Sequence, residues 1–155
     1  MIVQLEDYIT NNNYFKWKEA LWLPSLKCYH SPSFEEVKNI KLTCLKLDDV
    51  RRFIAKPFNV HCWIRPTKVK DESNKHNGVN YNALVKGAKN SSHIVGLAID
   101  FDITGLTTDQ AMALIKPKLP EFTLAAENNN SANGRNWIHL QNRILSDGTW
   151  RVFDI

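Results

Sequence analysis

Between residues 33 and 57 apolar side chains recur at steps of three and four. Val37, Ile40, Cys44, Leu47, Val50 and Ile54 fall on one side of a helix, with charged residues filling most of the rest. Ser33 followed by Glu36 is a capping-box pattern for its start, and Pro57 is its stop. A shorter stretch, YFKWKEALW (14–22), places Phe15, Leu21 and Trp22 among charges and predicts a short helix that Pro24 ends. The period then changes. FNVHCWI (58–64) alternates, as a strand does. Three more strands are predicted at FTLAAEN (122–128), NWIHLQN (136–142) and WRVFDI (150–155), with turns at SANGR and SDG. TTDQAMALIKPKLP (107–120) predicts a short helix capped by Thr107 or Thr108, with Met112 and Ile115 inward. Residues 65–82 are polar without a period and predict a long loop, of the kind that is usually functional or mobile. Helices early and strands late predict an α+β fold, one domain over 1–155, with a mostly antiparallel sheet.

Composition changes this picture little. The chain has 155 residues, 43% hydrophobic and 23% charged, which suits one globular domain rather than a disordered chain. Its net charge of +4 favours polyanions in general, whether nucleic acid, anionic lipid or wall polymer. The basic residues are scattered and no nucleic-acid-binding motif is present, so no nucleic-acid partner is expected. No run approaches the ~18 apolar residues of a membrane span, and MIVQLEDYITNNNYF has early acids and no signal-peptide pattern. The expectation is a monomer made in the cytoplasm without a leader. Cys28, Cys44 and Cys62 form no C-x-x-C and read as reduced, buried thiols.

The candidate chemistry lies in SSHIVGLAIDFDI (91–103). A straight strand from His93 to Asp100 would span roughly 23 Å and put the two side chains on opposite faces. Gly96 permits a bend that folds His93 back over the strand. Asp100 would then project where Ala98 leaves room, with Leu97, Ile99 and Phe101 toward the core. A catalytic zinc takes three protein ligands and keeps one position open. Among the other histidines, His30 and His76 read as solvated, His61 as a half-buried strand residue, and His139 shares a strand face with Trp137 and Gln141.

NALVKGAKNSSHIVGLAID, followed some forty residues later by NWIHLQ, resembles the zinc peptidases that cut bacterial cell-wall peptides. That superfamily includes D-Ala-D-Ala carboxypeptidases, D-Ala-D-Ala dipeptidases and phage L-Ala-D-Glu endopeptidases, and the hedgehog signalling domain shares its fold. Its S-x-H-x-x-G-x-A-x-D motif is matched by Ser91, His93, Gly96, Ala98 and Asp100, and its later W-x-H by Trp137 and His139. WIRP (63–66) is similar to the arginine-bearing strand end, Asn82, Val85, Gly87, Ala88 and Asn90 also fit, and YFKWKE and LDDVRRFIAKPFNV resemble the first helices of the phage-type branch.

The resemblance implies a hedgehog/DD-peptidase-like fold and zinc held by His93, Asp100 and His139. It also implies a peptidoglycan stem-peptide substrate contacted by Arg65, Ser91 and Trp137, with Arg65 also serving catalysis. The pattern departs at the general base. Relatives carry an acid three or six residues before the last histidine, where this chain has Asn136 and Asn133. Glu127 is the nearest upstream acid, and a 122–128/136–142 hairpin would bring it beside His139. Asp102 is the reserve base, or accepts a hydrogen bond from a ligand imidazole, or is simply solvated. Trp63 and Trp137 are candidates to line the cleft. The expected function is a phage or prophage endolysin-like zinc peptidase that reaches the wall after release, with no membrane partner. The alternative is an inactive zinc domain for wall binding or for virion or tail assembly.

Overall fold

The computed structural model describes residues 1–155. The N-terminal part holds α1 (Trp17–Leu21), a two-stranded ribbon of β1 (Trp22–Leu23) and β2 (Cys28–Tyr29), and α2 (Phe34–Ile54). A five-stranded sheet follows, from β3 (Phe58–Cys62), β4 (Ala98–Ile103), β5 (Ala125–Glu127), β6 (Ile138–Gln141) and β7 (Val152–Phe153). Short helices α3 (Tyr81–Leu84), α4 (Thr108–Ile115) and α5 (Leu119–Phe122) lie between the strands. The architecture is α+β, as the sequence predicts.

The α2 helix begins where its cap directs: Glu36 N donates to Ser33 Oγ (3.2 Å) and Ser33 N to Glu36 Oε2 (2.7 Å). It ends three residues before Pro57, with Ala55 in the left-handed region at φ 56°. Ile40, Cys44, Leu47 and Val50 are fully buried, whereas Val37 and Ile54 at the helix ends are half-buried. The buried Asp48 also faces inward, accepting from Thr10 Oγ1 (2.6 Å) and Asn12 Nδ2 (2.8 Å), and so anchors the N-terminal segment. The α4 helix is capped by Thr107, which accepts from Gln110 N.

The strand order is β3-β4-β6-β5-β7. The β3/β4, β4/β6 and β6/β5 pairs are antiparallel, so the sheet is mostly antiparallel as expected. The last strand departs from the simple reading, in which a turn at SDG leads back along β6. Both edges of β6 are already occupied, by β4 and β5, so β7 pairs with the free edge of β5 and runs parallel to it. The β5 strand is shorter than 122–128 because Leu119–Phe122 is helical and Thr123 turns at φ 50°.

Residues 65–82 are less open than their polarity suggests. Val69 is buried and forms two backbone hydrogen bonds with the returning chain, to Val79 O (2.8 Å) and from Gly78 N (2.9 Å). His30 is a second correction, since it is buried rather than solvated. Its Nδ1 accepts from Lys70 N (3.1 Å), which leaves Nε2–H to donate to Glu36 Oε2 (3.1 Å). One imidazole thus ties this excursion to the start of α2. No helix is long and apolar enough to cross a membrane.

Candidate metal centre

Ser91 starts a single 3₁₀ turn, Ser92–Val95, by accepting from His93 N (3.3 Å). Gly96 ends the turn at φ +80°, and the chain then enters β4. A Cβ on Gly96 would lie 2.7 Å from Ile40 Cγ1, so α2 packs directly on this bend. The reversal swings His93 back over the sheet, as Gly96 predicts. Register supplies the next group, because Asp100 lies directly opposite His139 on β6.

Three donor atoms converge. His93 Nε2 lies 3.1 Å from Asp100 Oδ1, His139 Nδ1 lies 2.7 Å from the same oxygen, and the two nitrogens are 3.3 Å apart. All three residues are buried or nearly so. The surrounding groups fix their orientation. His93 Nδ1–H donates to Trp63 O (2.8 Å), turning Nε2 into the cluster. Arg65 Nη2 holds Asp100 Oδ2 (3.1 Å), leaving Oδ1 for the histidines. Burial opposes charge on both His93 and Asp100. The ion pair outweighs it: Asp100 pushes His93 up to about 9, and the two histidines hold Asp100 well below the usual carboxylate range.

Glu127 sits on the far flank. The β5/β6 register pairs Ala125 with Gln141 and Ala126 with Leu140, so the next residue approaches His139. Its Oε1 is 4.0 Å from His139 Nδ1, and the side chain is 17% exposed, so it borders the cluster while reaching solvent. Asn133 is spent in its own loop, donating to Asn128 O (2.6 Å), and Asn136 is exposed away from the three donors on a separate cavity of about 580 Å³.

Asp102 does not reach a candidate ligand histidine, which overturns that expectation. It accepts from Asn59 Nδ2 (2.7 Å) and bonds the exposed His61 Nε2 (2.5 Å). The cause is a bulge in β3 between Val60 and Cys62, which displaces His61 toward Asp102 while Cys62 pairs with Asp100. Trp63 does not line the cleft either. It is fully buried, and its Nε1 donates to Gly96 O (3.2 Å), bracing the bend. Trp137 is half-buried, with its carbonyl accepting from the buried Asn129 (3.1 Å). Arg65, Asp100, Cys62, His61, Tyr81 and Val85 line a cleft of about 280 Å³ beside the cluster. Gly87 allows its wall to close, since a Cβ there would fall 2.1 Å from Asn82 Oδ1 and 3.1 Å from Arg65 Nη1.

Cys62, His93 and Asp100 also lie close enough to share an ion. The Cys62 thiol, however, faces His93 Nδ1 (3.9 Å), the nitrogen committed to Trp63 O. Sequence reasoning had no signal for this thiol, because only the bulge turns it toward Asp100. The chain therefore carries side-chain groups able to hold a metal ion. No protein-family model, curated protein or solved structure matches the chain.

Proposed function

We propose that this protein is a zinc-dependent peptidase acting on peptidoglycan stem peptides, of the D-Ala-D-Ala carboxypeptidase or L-Ala-D-Glu endopeptidase kind. The observation that carries the reading is the convergence of His93 Nε2, Asp100 Oδ1 and His139 Nδ1 within 3.3 Å, with the Glu127 carboxylate 4.0 Å from one of them. Two imidazole nitrogens and one carboxylate oxygen suit Zn²⁺ and leave one position open. Bound there, zinc supplies Lewis acidity, lowering the pKa of water toward about 7 and polarising an amide carbonyl. The S-x-H-x-x-G-x-A-x-D and W-x-H resemblance points to the same donors and to wall peptides as substrate.

The chain's own groups divide the remaining work. Glu127 takes the proton of the attacking water and returns it to the leaving amine. Arg65 positions Asp100 and lines the cleft, where a guanidinium recognises a peptide carboxylate. Ser91 acts through the His93 turn, and Trp137 lies two residues before His139, just ahead of β6. We further propose that the protein is an endolysin-like monomer of phage or prophage origin, reaching the wall after release.

The Glu127 placement favours catalysis over a binding domain that has lost it. Purified peptidoglycan is digested with and without chelator, and the fragments are read by mass spectrometry. The proposal expects chelator-sensitive cleavage of one stem-peptide bond. It also expects Glu127→Gln to lose about 10²–10⁴-fold in rate while retaining its zinc. An intact wall after treatment with zinc-loaded wild type would reject the enzyme in favour of the binding domain.

A further inference from the structure

A second donor cluster lies away from the first. Cys28 is on β2, in the N-terminal ribbon, while Asp71 and His76 belong to the 65–82 excursion. More than forty residues of chain separate Cys28 from Asp71, and the fold brings them face to face. One donor atom from each of the three residues lies within 4.8 Å of the other two.

The local bonding leaves these donors directed at one another. The hydrogen bonds of His76 use its main chain: its N–H donates to Asp71 Oδ2 (3.3 Å) and its carbonyl accepts from Val79 N. Neither ring nitrogen forms a hydrogen bond, so one of them is available to the cluster. Asp71 is fixed by Ser73, which donates from its N–H (3.0 Å) and its hydroxyl (2.6 Å). Asp71 as a residue is 8% exposed, and no lysine or arginine forms an ion pair with its carboxylate. The nearby N-terminal ammonium pairs with Glu72 instead. The carboxylate accepts only from neutral donors, so its negative charge is free to draw a cation to the Cys28 and His76 donors beside it.

We infer that Cys28, Asp71 and His76 form a second metal site, for Zn²⁺ or a cation of similar softness, that clips the 65–82 excursion to the N-terminal ribbon. A thiolate, an imidazole and a carboxylate together match zinc, whereas calcium and magnesium take oxygen ligands. On binding, the Cys28 S–H bond breaks, its proton goes to solvent and a sulfur–metal bond forms, with no change of oxidation state. The clip acts on the cleft as well, because the same excursion leads directly into Tyr81 and Asn82, which sit beside Arg65.

Cobalt(II) titration of the full-length protein tests this, because a thiolate ligand gives a near-ultraviolet charge-transfer band that nitrogen and oxygen ligands do not. The band is expected in wild type and in Cys62→Ser and absent in Cys28→Ser, whose metal content falls by one ion per chain. His76→Ala, a change in a half-exposed turn, is expected to weaken cobalt binding at that band more than about tenfold. The drop of one ion is independent of the His93 centre, so failure of the peptidase proposal would leave it intact. A wild-type titration without the band, or a band that Cys28→Ser leaves unchanged, overturns the assignment.

Discussion

Gly96→Ala isolates the bend on which the first centre depends. Two costs are legible in the structure. Gly96 sits at φ +80°, where an L side chain costs about 1–2 kcal/mol. Its new Cβ would also lie 2.7 Å from Ile40 Cγ1, and forcing a methyl into a packed contact costs about 1–3 kcal/mol. The expected destabilisation is therefore about 2–5 kcal/mol, read as a shift of the urea midpoint at unchanged slope. Because Gly96 N bonds His93 O and Trp63 Nε1 bonds Gly96 O, the strain passes to His93, and zinc content should fall with stability. Ile40→Ala alone is a core truncation costing about 2–5 kcal/mol, but it removes the clash, so the double variant should lose about 1–3 kcal/mol less than the sum of the two single changes. Gly96→Ala with less than about 0.5 kcal/mol of destabilisation and full zinc content would refute the argument.

Arg65→Ala should lower zinc affinity about 10–100-fold by freeing Asp100 Oδ2, measured by competition with a chelator; unchanged affinity would mean that Asp100 needs no such support. Asp48→Ala should cost about 1–3 kcal/mol in urea unfolding, because Thr10 and Asn12 lose their buried acceptor. Stability against pH should change sign with metal. In chelator-treated protein His93 titrates at about 9 rather than 6.5, a contribution of about 3 kcal/mol that is full below pH 6.5 and lost as pH rises to about 9. Asp100, held low, contributes above its ordinary range and loses that only as pH falls through its depressed value. Zinc requires neutral His93, so affinity should instead climb about tenfold per pH unit toward 9. Parallel pH profiles with and without metal would contradict the assignment of His93 as a ligand.

The sequence by itself determined what local chemistry determines. The Ser33–Glu36 cap and the three-and-four spacing of Ile40, Cys44, Leu47 and Val50 specify α2, because a helix reads its own period. Gly96 specifies the bend, because glycine enters that backbone region at the least cost. The approach of Glu127 to His139 could be reasoned from alternation once a hairpin was assumed, whereas the meeting of His93, Asp100 and His139 was implied only by the motif resemblance. Only the tertiary structure decided the rest. A single-residue bulge in β3 sends His61 to Asp102 and Cys62 to Asp100, and no local propensity marks it. The parallel course of β7 follows from which sheet edge is already taken. His30 is buried, and Cys28 meets Asp71 and His76, because an excursion of polar sequence folds back on the N-terminal ribbon. Those contacts join residues far apart in the chain, and they exist only after the sheet and α2 have packed.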